Sequence, residues 1–425
     1  MSTSPIIVIG GGAAGMIAAW RAASLGAPVT LFEKNARLGI KIMVSGGGKC
    51  NITHGGTMEE MRLRFQTPEA RFLRHAFHQF SNADMRALLD ARGVATYERP
   101  NGKIFPVNEK AGDIVHAFRR LMEEAGVDIR CSSPVIEIRR DTNGVAGLVV
   151  SSSSGTDDTY IPSRRLILAT GGVSYRKTGT TGDGYEWARA LGHTLVPLRA
   201  ALAPIVTDPL PPREWQGVAI RTGALLACAE GRILARYRAD ILFTHFGISG
   251  PAVLELSSTI VRAREAHEDV GLAVDFLPDE PPEHLDERLI ADTRLNGAQE
   301  IKTWLERAIP QRLVPYFCAS IGIDGTTRCR QLKKEDRRTI VRSLRQWTFG
   351  SVKEIDIDRG EVTSGGIPLD EVDPKSMRSR IVPGLYCCGE VLDIAGPVGG
   401  YNLQAAFSTG FVAGSSAASD FKNSP

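Results

Sequence analysis

The chain has 425 residues, which is enough for two or three domains of the usual size. Hydrophobic residues make up 43% of it and charged residues 23%, which excludes disordered, collagen-like and membrane-spanning proteins. Its 51 basic and 48 acidic side chains leave a formal charge of +3, so bulk charge indicates neither a nucleic-acid partner nor an anionic membrane.

Cysteine usage and targeting signals bear on the compartment. The seven cysteines are scattered and form no Cys-x-x-Cys pair, which argues against a disulfide framework and against a zinc site. The apolar run at residues 6–9 lacks the basic flank and the length of a signal peptide. No stretch reaches the roughly 18 to 20 apolar residues that span a bilayer. We therefore expect a cytoplasmic protein with no membrane association and no metal.

Residues 5–34 have the pattern of one βαβ unit, with a β-branched run, a glycine turn, a helix closed by a glycine and a second strand. Gly10, Gly12 and Gly15 form G-x-G-x-x-G, in which the first glycine makes the turn, the second admits a pyrophosphate and the third lets the helix pack on the strand. Ala13 and Ala14 open the helix, whose N-terminus attracts phosphate. The unit predicts a dinucleotide site.

The end of the second strand carries the acidic residue of such a site. Glu33 lies where a carboxylate accepts hydrogen bonds from an adenosine ribose and repels a 2′-phosphate. Lys34 follows it, and Lys41 precedes a glycine-rich stretch suited to lying against a ring or a phosphate. The residues of this stretch that we expect near the cofactor are Ser45, Gly46, Gly47, Gly48, Cys50 and Asn51. Because Cys50 has no partner at the spacing of a redox disulfide, we expect it to pack rather than to carry electrons.

The next segments have the pattern of an α/β scaffold. An i, i+1, i+4, i+7, i+8 apolar stripe predicts a helix from Lys110 to a C-cap at Gly126. Val135 belongs to a segment that begins a further strand pair, and residues 166–172 predict a buried parallel strand that turns at Thr170 and Gly171.

The pattern changes after Pro197. Runs at 217–229 and 233–244 predict strands around a Glu-Gly turn, and residues 280–347 are helical in pattern. The basic run from Lys333 to Arg345 has apolar residues at helical spacing, including Trp347, so its charges are interpreted as a solvated face. Nucleic-acid binding by this run stays open as the less favoured alternative. Residues 352–357 alternate as a returning strand.

Two side chains are candidates for a catalytic proton donor. Tyr175 follows the strand that turns at Thr170, and His245 lies at a predicted strand end just before the helix opened by residues 249–251. For each of them, a purely structural role is an equal alternative.

Several segments remote from the fingerprint favour FAD over a nicotinamide nucleotide, because the isoalloxazine of FAD must be held far from its ADP end. A strand at 385–388 has an acid just beyond it, and glycines open the last helix. The cofactor-binding candidates in this C-terminal region are Gly389, Glu390, Asp393, Gly400, Tyr401, Asn402 and Leu403.

These segments carry a resemblance to a known family. They read IGGGAAG at 9–15, SGGGKCN at 45–51, ATGGVSYRKTGTTGDGY at 169–185, LFTHFGISGPAVLE at 242–255, EVTSGGI at 361–367 and GEVLDIAGPVGGYNLQAAFSTG at 389–410. In them the chain resembles the BaiN-like family of bacterial NAD(P)- and FAD-dependent oxidoreductases.

The resemblance implies an α/β flavoprotein with two dinucleotide-binding domains, Rossmann-like and binding FAD, with an inserted β-barrel plus helical subdomain. Residues 1–195 and 358–425 would form a discontinuous FAD-binding domain, residues 196–279 and 348–357 the β-barrel, and residues 280–347 the helical subdomain. The FAD would be noncovalent, which disfavours a covalent link at His54. By similarity, Val135 takes adenine through its backbone, Asp393 takes the ribityl or pyrophosphate segment, and the backbone at 400–403 faces the flavin N1/O2 edge.

The activity implied is an FAD-dependent reduction of an activated, enone-type C=C bond in a small organic molecule, with NAD(P)H as donor. Since the chain has no second G-x-G-x-x-G, NAD(P)H would visit the flavin transiently, or another donor would serve. The alternatives are a tRNA-modifying or tRNA-binding flavoprotein and a redox-sensing flavin binder without turnover. The oligomeric state stays open.

Overall fold

The structure is a computed structural model that describes residues 4–151, 158–267 and 269–423. The chain divides into two compact units. The first unit comprises Met1–Arg199 and Val362–Pro425, and the second unit is Ala200–Glu361.

The strands and helices alternate in the first unit and are more segregated in the second. The strands are β1 (Ile6–Ile9), β2 (Val29–Phe32), β3 (Thr53–His54), β4 (Thr96–Glu98), β5 (Lys103–Pro106), β6 (Asp128–Arg130), β7 (Val135–Asp141), β8 (Gly144–Val150), β9 (Thr159–Pro162), β10 (Leu166–Leu168), β11 (Val196–Ala201), β12 (Ile205–Asp208), β13 (Ala219–Ile220), β14 (Ala224–Ala229), β15 (Arg232–Arg238), β16 (Ile241–Phe243), β17 (Gly247–Ser249), β18 (Gly271–Asp275), β19 (Trp347–Glu354), β20 (Val362–Gly366) and β21 (Leu385–Cys387). The α-helices are α1 (Ala13–Ser24), α2 (Ile40–Val44), α3 (Met58–Arg62), α4 (Thr67–Gln79), α5 (Asn82–Asp90), α6 (Ala111–Glu124), α7 (Asp183–Ala190), α8 (Pro251–Ala266), α9 (Pro282–Leu295), α10 (Ile301–Ala308), α11 (Val314–Ser320), α12 (Lys334–Arg345) and α13 (Tyr401–Lys422).

The first unit is built on a parallel sheet with the strand order β21-β10-β1-β2-β6. Ile7 of β1 is in register with Leu166 of β10 and with Thr30 of β2. The four residues of β1 are all buried, as expected of a central strand covered on both faces. The sheet confirms the predicted Rossmann-type α/β fold, and it brings the carboxyl ends of β1, β2, β10 and β21 to one edge.

Helix α13 packs closely along α1. A Cβ built at Gly410 would lie 2.3 Å from the carbonyl oxygen of Ala14, and one at Gly414 would lie 2.3 Å from that of Ala18. Only glycine permits this approach, so the C-terminal helix is held beside the helix of the fingerprint. Helix α6 lies where the 110–126 pattern predicted a helix, and it is followed by Gly126 at φ +81°.

The second unit contains one eight-stranded antiparallel sheet in the order β13-β16-β17-β12-β19-β18-β14-β15. Helices α8 to α12 share a single hydrophobic cluster with this sheet, in which Phe243, Leu256 and Trp347 are buried together with Leu305 and Leu344. The segments predicted as a β-barrel and as a helical subdomain therefore have a common core.

Two local predictions in the second unit were displaced. The strand expected at 352–357 is β19, which ends at Glu354 and begins at Trp347, so Trp347 belongs to the strand and not to the preceding helix. Its Trp-Thr-Phe start has strong β-propensity, which explains the earlier beginning. The strand expected at 233–244 is divided between β15 and β16, with Asp240 between them.

Candidate functional site

The turn between β1 and α1 brings three glycines to the carboxyl edge of the parallel sheet. Gly10 has φ +105°, and a Cβ there would lie 2.5 Å from the carbonyl oxygen of Ala169. A Cβ on Gly15 would lie 1.9 Å from the carbonyl oxygen of Gly10. At Gly12, however, a Cβ would meet no atom within 4 Å. Open space therefore adjoins the backbone at the N-terminus of α1, where a pyrophosphate would approach.

Glu33 lies just after β2 and is 8% exposed. Its Oε2 accepts a hydrogen bond from the backbone N–H of Gly11 at 2.7 Å, and its Oε1 accepts from the Asn35 backbone N–H at 2.8 Å. The backbone N–H of Ser133 donates to the carbonyl oxygen of Glu33 at 3.0 Å, which brings the segment before Val135 to the same strand end. Val135 itself is buried at the start of β7. The carboxylate is thus fixed between the glycine turn and the segment expected to contact adenine.

A loop that follows β10 is fastened to the end of β2. Lys34 forms an ion pair with Asp183 at 2.6 Å and donates to the Thr181 hydroxyl. The Asn35 side-chain amide donates to Glu33 Oε1 at 2.7 Å and to the carbonyl oxygen of Thr178 at 3.2 Å. Asn35 was not predicted as a site residue, and no local pattern marks it, because its partner is more than a hundred residues away.

The strand end of β10 carries a polar group with no partner. Thr170 Oγ1 is buried and makes no hydrogen bond among the described residues. Leaving such a hydroxyl unsatisfied costs about 1 to 3 kcal/mol. Gly171 follows at φ +74°. Together with the open space beside Gly12 and the acceptor at Glu33, this donor fits the phosphate and ribose groups of a dinucleotide.

A half-buried ion pair joins α2 to the segment after β21. Lys41 Nζ lies 2.9 and 2.8 Å from the two carboxylate oxygens of Glu390 and 3.1 Å from Ser174 Oγ. The backbone N–H of Thr363 donates to Glu390 Oε1 at 2.8 Å, and the Thr363 hydroxyl donates to Ser174 Oγ at 3.2 Å. Lys41 and Glu390 were predicted from the sequence. Ser174 and Thr363 were not, although both lie within the segments that carry the family resemblance.

The glycine-rich stretch at 45–48 forms a turn in which Gly46, Gly47 and Gly48 have positive φ angles of 57°, 69° and 85°. A Cβ at Gly47 would meet no atom within 4 Å, so this turn also faces open space. Ser45 ties the turn back to α2 through a 2.7 Å hydrogen bond to the Ile42 carbonyl oxygen. Cys50 is fully buried, and burial raises the pKa of its thiol to about 12. Cys50 therefore stays protonated and packed at neutral pH.

The start of α13 meets the end of this stretch. With its amide oriented to satisfy its neighbours, Asn51 accepts a hydrogen bond from the backbone N–H of Gly400 at 3.0 Å. Tyr401 stacks on His54 with ring centroids 4.8 Å apart, and Asn402 accepts from the backbone N–H of Gly396 at 2.8 Å. Leu403, in the first turn of α13, is half-buried. A long helix thus presents its N-terminus beside the glycine-rich stretch.

The segment between β21 and α13 is anchored at both ends. Gly389 has φ +77°, and a Cβ there would lie 2.7 Å from the Cβ of Ala14 in α1. Asp393 Oδ1 accepts a hydrogen bond from the backbone N–H of Gly365 at 2.9 Å. The expected cofactor residues of the first unit therefore surround the carboxyl edge of one sheet.

Gln404 is a polar residue of this region that the sequence did not reveal. It is fully buried, accepts from the Thr53 hydroxyl at 2.7 Å and donates to the carbonyl oxygen of Phe80 at 3.2 Å. It follows directly on the predicted residues 400–403, so the helix pattern was visible. The buried partners on β3 and after α4 were not.

The two candidate proton donors lie in different units. Tyr175 is 40% exposed in the first unit and has φ +54°, a strained angle for a bulky residue. Its carbonyl oxygen accepts from the Thr178 backbone N–H and hydroxyl, both at 2.8 Å, which holds the backbone in this conformation. The phenol is thereby presented at the surface of the loop that Asn35 fastens.

His245 lies in the second unit at an exposed tight turn between β16 and β17, where the Thr244 backbone N–H donates to the Gly247 carbonyl oxygen at 2.8 Å. Strand β17 therefore separates His245 from helix α8, although the sequence placed the residue just before that helix. Its ring contacts Phe246 edge-on at 5.0 Å, and the Arg359 guanidinium lies 4.7 Å from the Phe246 ring centroid.

The parallel sheet, the glycine turn and the acid at the second strand define a Rossmann-type dinucleotide-binding protein. The chain belongs to the family described as HI0933-like protein Rossmann domain, whose model matches residues 4–416. This assignment confirms the resemblance on which the sequence-based expectations depended.

Two curated proteins are similar to the chain over nearly its whole length. A ribosomal RNA dihydrouridine synthase from Haemophilus influenzae is 31% identical over 408 residues, covering 95% of this chain and 96% of that protein. A 3-dehydro-bile acid delta(4,6)-reductase from Clostridium scindens is 30% identical over 416 residues, covering 97% and 98%.

A solved 3-ketosteroid-delta4-(5alpha)-dehydrogenase from Rhodococcus jostii has a similar fold, with a TM-score of 0.51 at 16% identity over 98% of this chain and 97% of that one. The chain is an FAD-dependent oxidoreductase. Among the described residues, no helix is both long and apolar enough to cross a membrane.

Proposed function

We propose that the chain reduces a C=C bond conjugated to a carbonyl group in a small organic substrate, with NAD(P)H as donor. The observation that carries this proposal is the full-length similarity to a reductase whose name places its reaction at the 4,6 double bonds of a 3-dehydro bile acid. A carbonyl in conjugation lowers the barrier to hydride addition, because the developing negative charge is spread onto its oxygen.

FAD, when bound, supplies the transfer of hydride to one carbon of that bond. The first unit is proposed to bind it noncovalently. Glu33 would accept from the adenosine ribose, the backbone beside Gly12 would approach the pyrophosphate, and Thr170 Oγ1 would gain a partner. The N-terminus of α13 would lie along the flavin edge. The remaining ligands proposed here are those expected from the sequence between residues 34 and 403.

The other carbon must receive a proton, and Tyr175 is our first candidate for its donor. Its phenol is exposed, and three hydrogen bonds to its carbonyl oxygen, from Thr178 and Thr180, hold the backbone at a strained φ. Strained residues that the surroundings hold in place cluster at functional sites. His245, at the tip of an exposed hairpin, is the second candidate.

NAD(P)H is proposed as a transient visitor, since only one glycine fingerprint occurs in the sequence. We place the reaction in the cytoplasm. All seven cysteines lie in the described segments as free thiols, which is consistent with a reducing compartment.

A second candidate substrate is a uracil ring of ribosomal RNA, favoured by the full-length similarity to a ribosomal RNA dihydrouridine synthase. The C5=C6 bond of uracil is conjugated to the C4 carbonyl, so its reduction is the same reaction on a different molecule. The tRNA-related alternative drawn from the sequence thereby becomes more specific.

One experiment addresses both substrates. The flavin of the purified protein is reduced under anaerobic conditions, and its reoxidation is followed on mixing with a 3-keto-4-ene steroid or with unmodified ribosomal RNA transcribed in vitro. Reoxidation by either compound, with loss of the corresponding double bond, supports the proposal and identifies the substrate class. Reoxidation by quinone or oxygen alone would refute it.

A further inference from the structure

Helix α12, in the second unit, has two faces of different character. Ile340, Val341 and Leu344 are buried in the core of the unit, as the apolar spacing predicted. The exposed residues of the helix are Lys334, Glu335, Arg338 and Arg342. Three cations and one acid therefore share the solvent side.

The cations of α12 that turn inward are neutralised by acids. Arg345 lies 3.2 Å from Asp275, which is 3% exposed, and Arg337 lies 3.8 Å from Asp286 of the neighbouring helix α9. These two arginines have a structural explanation, because an unpaired buried charge would be costly.

The outward cations have no such explanation. Lys334, Arg338 and Arg342 form no ion pair in the part of the chain that the structure describes. They are four residues apart, so they follow one side of the helix at intervals of about 6 Å. Arg330 and Lys333, exposed just before the helix, extend the row. We call these five residues the cationic row.

Acids near the row offset only part of its charge. Glu335 is exposed on the same side, whereas Asp336 accepts a hydrogen bond from the Lys333 backbone N–H at 2.9 Å. Helix α9, which packs on α12, carries the exposed acids Glu283 and Glu287. In a chain with only three net positive charges, a row of five cations against one acid is a local concentration of positive charge.

We propose that the cationic row is a docking surface for the phosphate backbone of RNA. The inference rests on the second candidate substrate, because a reductase that acts on a base within a large RNA needs contacts to the chain that carries it. Regularly spaced, solvated cations without protein partners suit a polyanion, and they position it without reading its sequence.

The test uses the full-length holoprotein and unmodified ribosomal RNA transcribed in vitro. In the row variant, Lys334→Gln, Arg338→Gln and Arg342→Gln are combined. The matched control combines Arg119→Gln, Arg120→Gln and Arg139→Gln, which removes three exposed cations of the first unit that are paired with acids. A third variant keeps the charge of the row with Lys334→Arg, Arg338→Lys and Arg342→Lys.

Each phosphate contact contributes about 0.7 to 0.9 to the slope of log affinity against log salt. The row variant should therefore lose about two from that slope and bind about a hundredfold more weakly at about 0.1 M salt. The control and the charge-conserving variant should stay within about threefold of the wild type. Equal melting temperatures and FAD contents establish that all variants are folded.

Equal losses in the row variant and the control, or no loss in either, would overturn the proposal. So would binding of the wild type to phosphatidylserine vesicles but not to RNA, which would point to a membrane surface instead. Reoxidation of the reduced flavin by a 3-keto-4-ene steroid is measured on the same samples. If the row binds RNA and no conjugated C=C is reduced, the proposed function fails and the docking surface stands.

Discussion

At the scale of single residues, Gly12 and Gly15 belong to one motif and meet different constraints. Gly15 has no room for a side chain, because a Cβ would lie 1.9 Å from the carbonyl oxygen of Gly10. Gly12 has room and an ordinary φ of −85°, so nothing in the protein itself requires glycine there. The space beside it is what a ligand would use.

Gly12→Val should therefore fold and lose its flavin. The side chain would fill the approach to the backbone without straining it, so the melting temperature of the apoprotein should match that of the wild-type apoprotein. Flavin absorbance per polypeptide measures the loss, and Gly15→Val is the comparison in which folding itself should fail. A folded Gly12→Val protein with a full complement of FAD would contradict the site.

Cys50→Ser should leave turnover within a small factor of the wild type. Burial raises the pKa of the Cys50 thiol to about 12, so no thiolate is available at neutral pH to carry out redox chemistry. Steady-state reduction of the best acceptor, normalised to FAD content, is the measurement. Loss of turnover with FAD retained would make Cys50 a redox residue after all.

Single residues were predictable where their reason is local. The spacing of Gly10, Gly12 and Gly15 and the position of Glu33 can be read from about thirty residues. Thr363 and Gln404 could not be found in this way, because their roles come from hydrogen bonds to residues that only the fold brings near.

At the scale of elements, the loop that follows β10 connects the strand ends to Tyr175. The loop is bonded to Asn35 through Thr178 and to Lys34 through Thr181. The position of the phenol is thus set by the strand that ends at Glu33.

Tyr175→Phe should keep its FAD and accept hydride from the donor at the normal rate, yet transfer it to the substrate about 10² to 10⁴ fold more slowly. Reduction of the flavin needs no proton from this residue, whereas saturation of the double bond does. Stopped-flow absorbance separates the two half-reactions, and His245→Ala tests the alternative donor. Normal reoxidation rates in both variants would assign the proton to water or to another side chain.

A second element-scale contact joins residues after α7 to the short helical turn Leu369–Glu371. The side chain of His193 is fully buried, with Nδ1 2.7 Å from Glu371 Oε2 and Nε2 2.8 Å from Ser379 Oγ. Burial disfavours the charge of Glu371, but hydrogen bonds from Thr194 and His193 outweigh it and lower the pKa of the carboxyl. A carboxyl with a lowered folded pKa stabilises the protein above its unfolded pKa of about 4.3 and loses that effect as pH falls through the folded value.

Glu371→Gln should therefore be less stable than the wild type at neutral pH, by about 1 to 2 kcal/mol. The difference should shrink below about pH 4 as the wild-type carboxyl becomes protonated. Chemical denaturation at several pH values measures it. A difference that stays constant into acid would show that the charge of Glu371 does not stabilise the fold.

Elements were predictable where the pattern was long and periodic. Helix α6 was found because its apolar stripe runs over several turns. Strand β19 was misplaced because Trp347 continues the apolar spacing of α12 and at the same time opens the strand. The hairpin that carries His245 was missed, since two short strands around a tight turn leave little periodicity to read.

At the scale of the whole molecule, the fold class followed from segments spread along the chain, and the family assignment over residues 4–416 bears it out. The second unit was harder to predict, because its sheet and helices share one core that is assembled from distant segments.

The central claim is that this flavoprotein saturates a C=C bond conjugated to a carbonyl group. The most direct measurement is a single turnover, in which the anaerobically reduced protein is mixed with a conjugated carbonyl compound and the product is analysed by mass spectrometry. We predict one product molecule, heavier by two hydrogens, for each FAD reoxidised. Reoxidation without a saturated product from steroid enone or RNA would contradict the account.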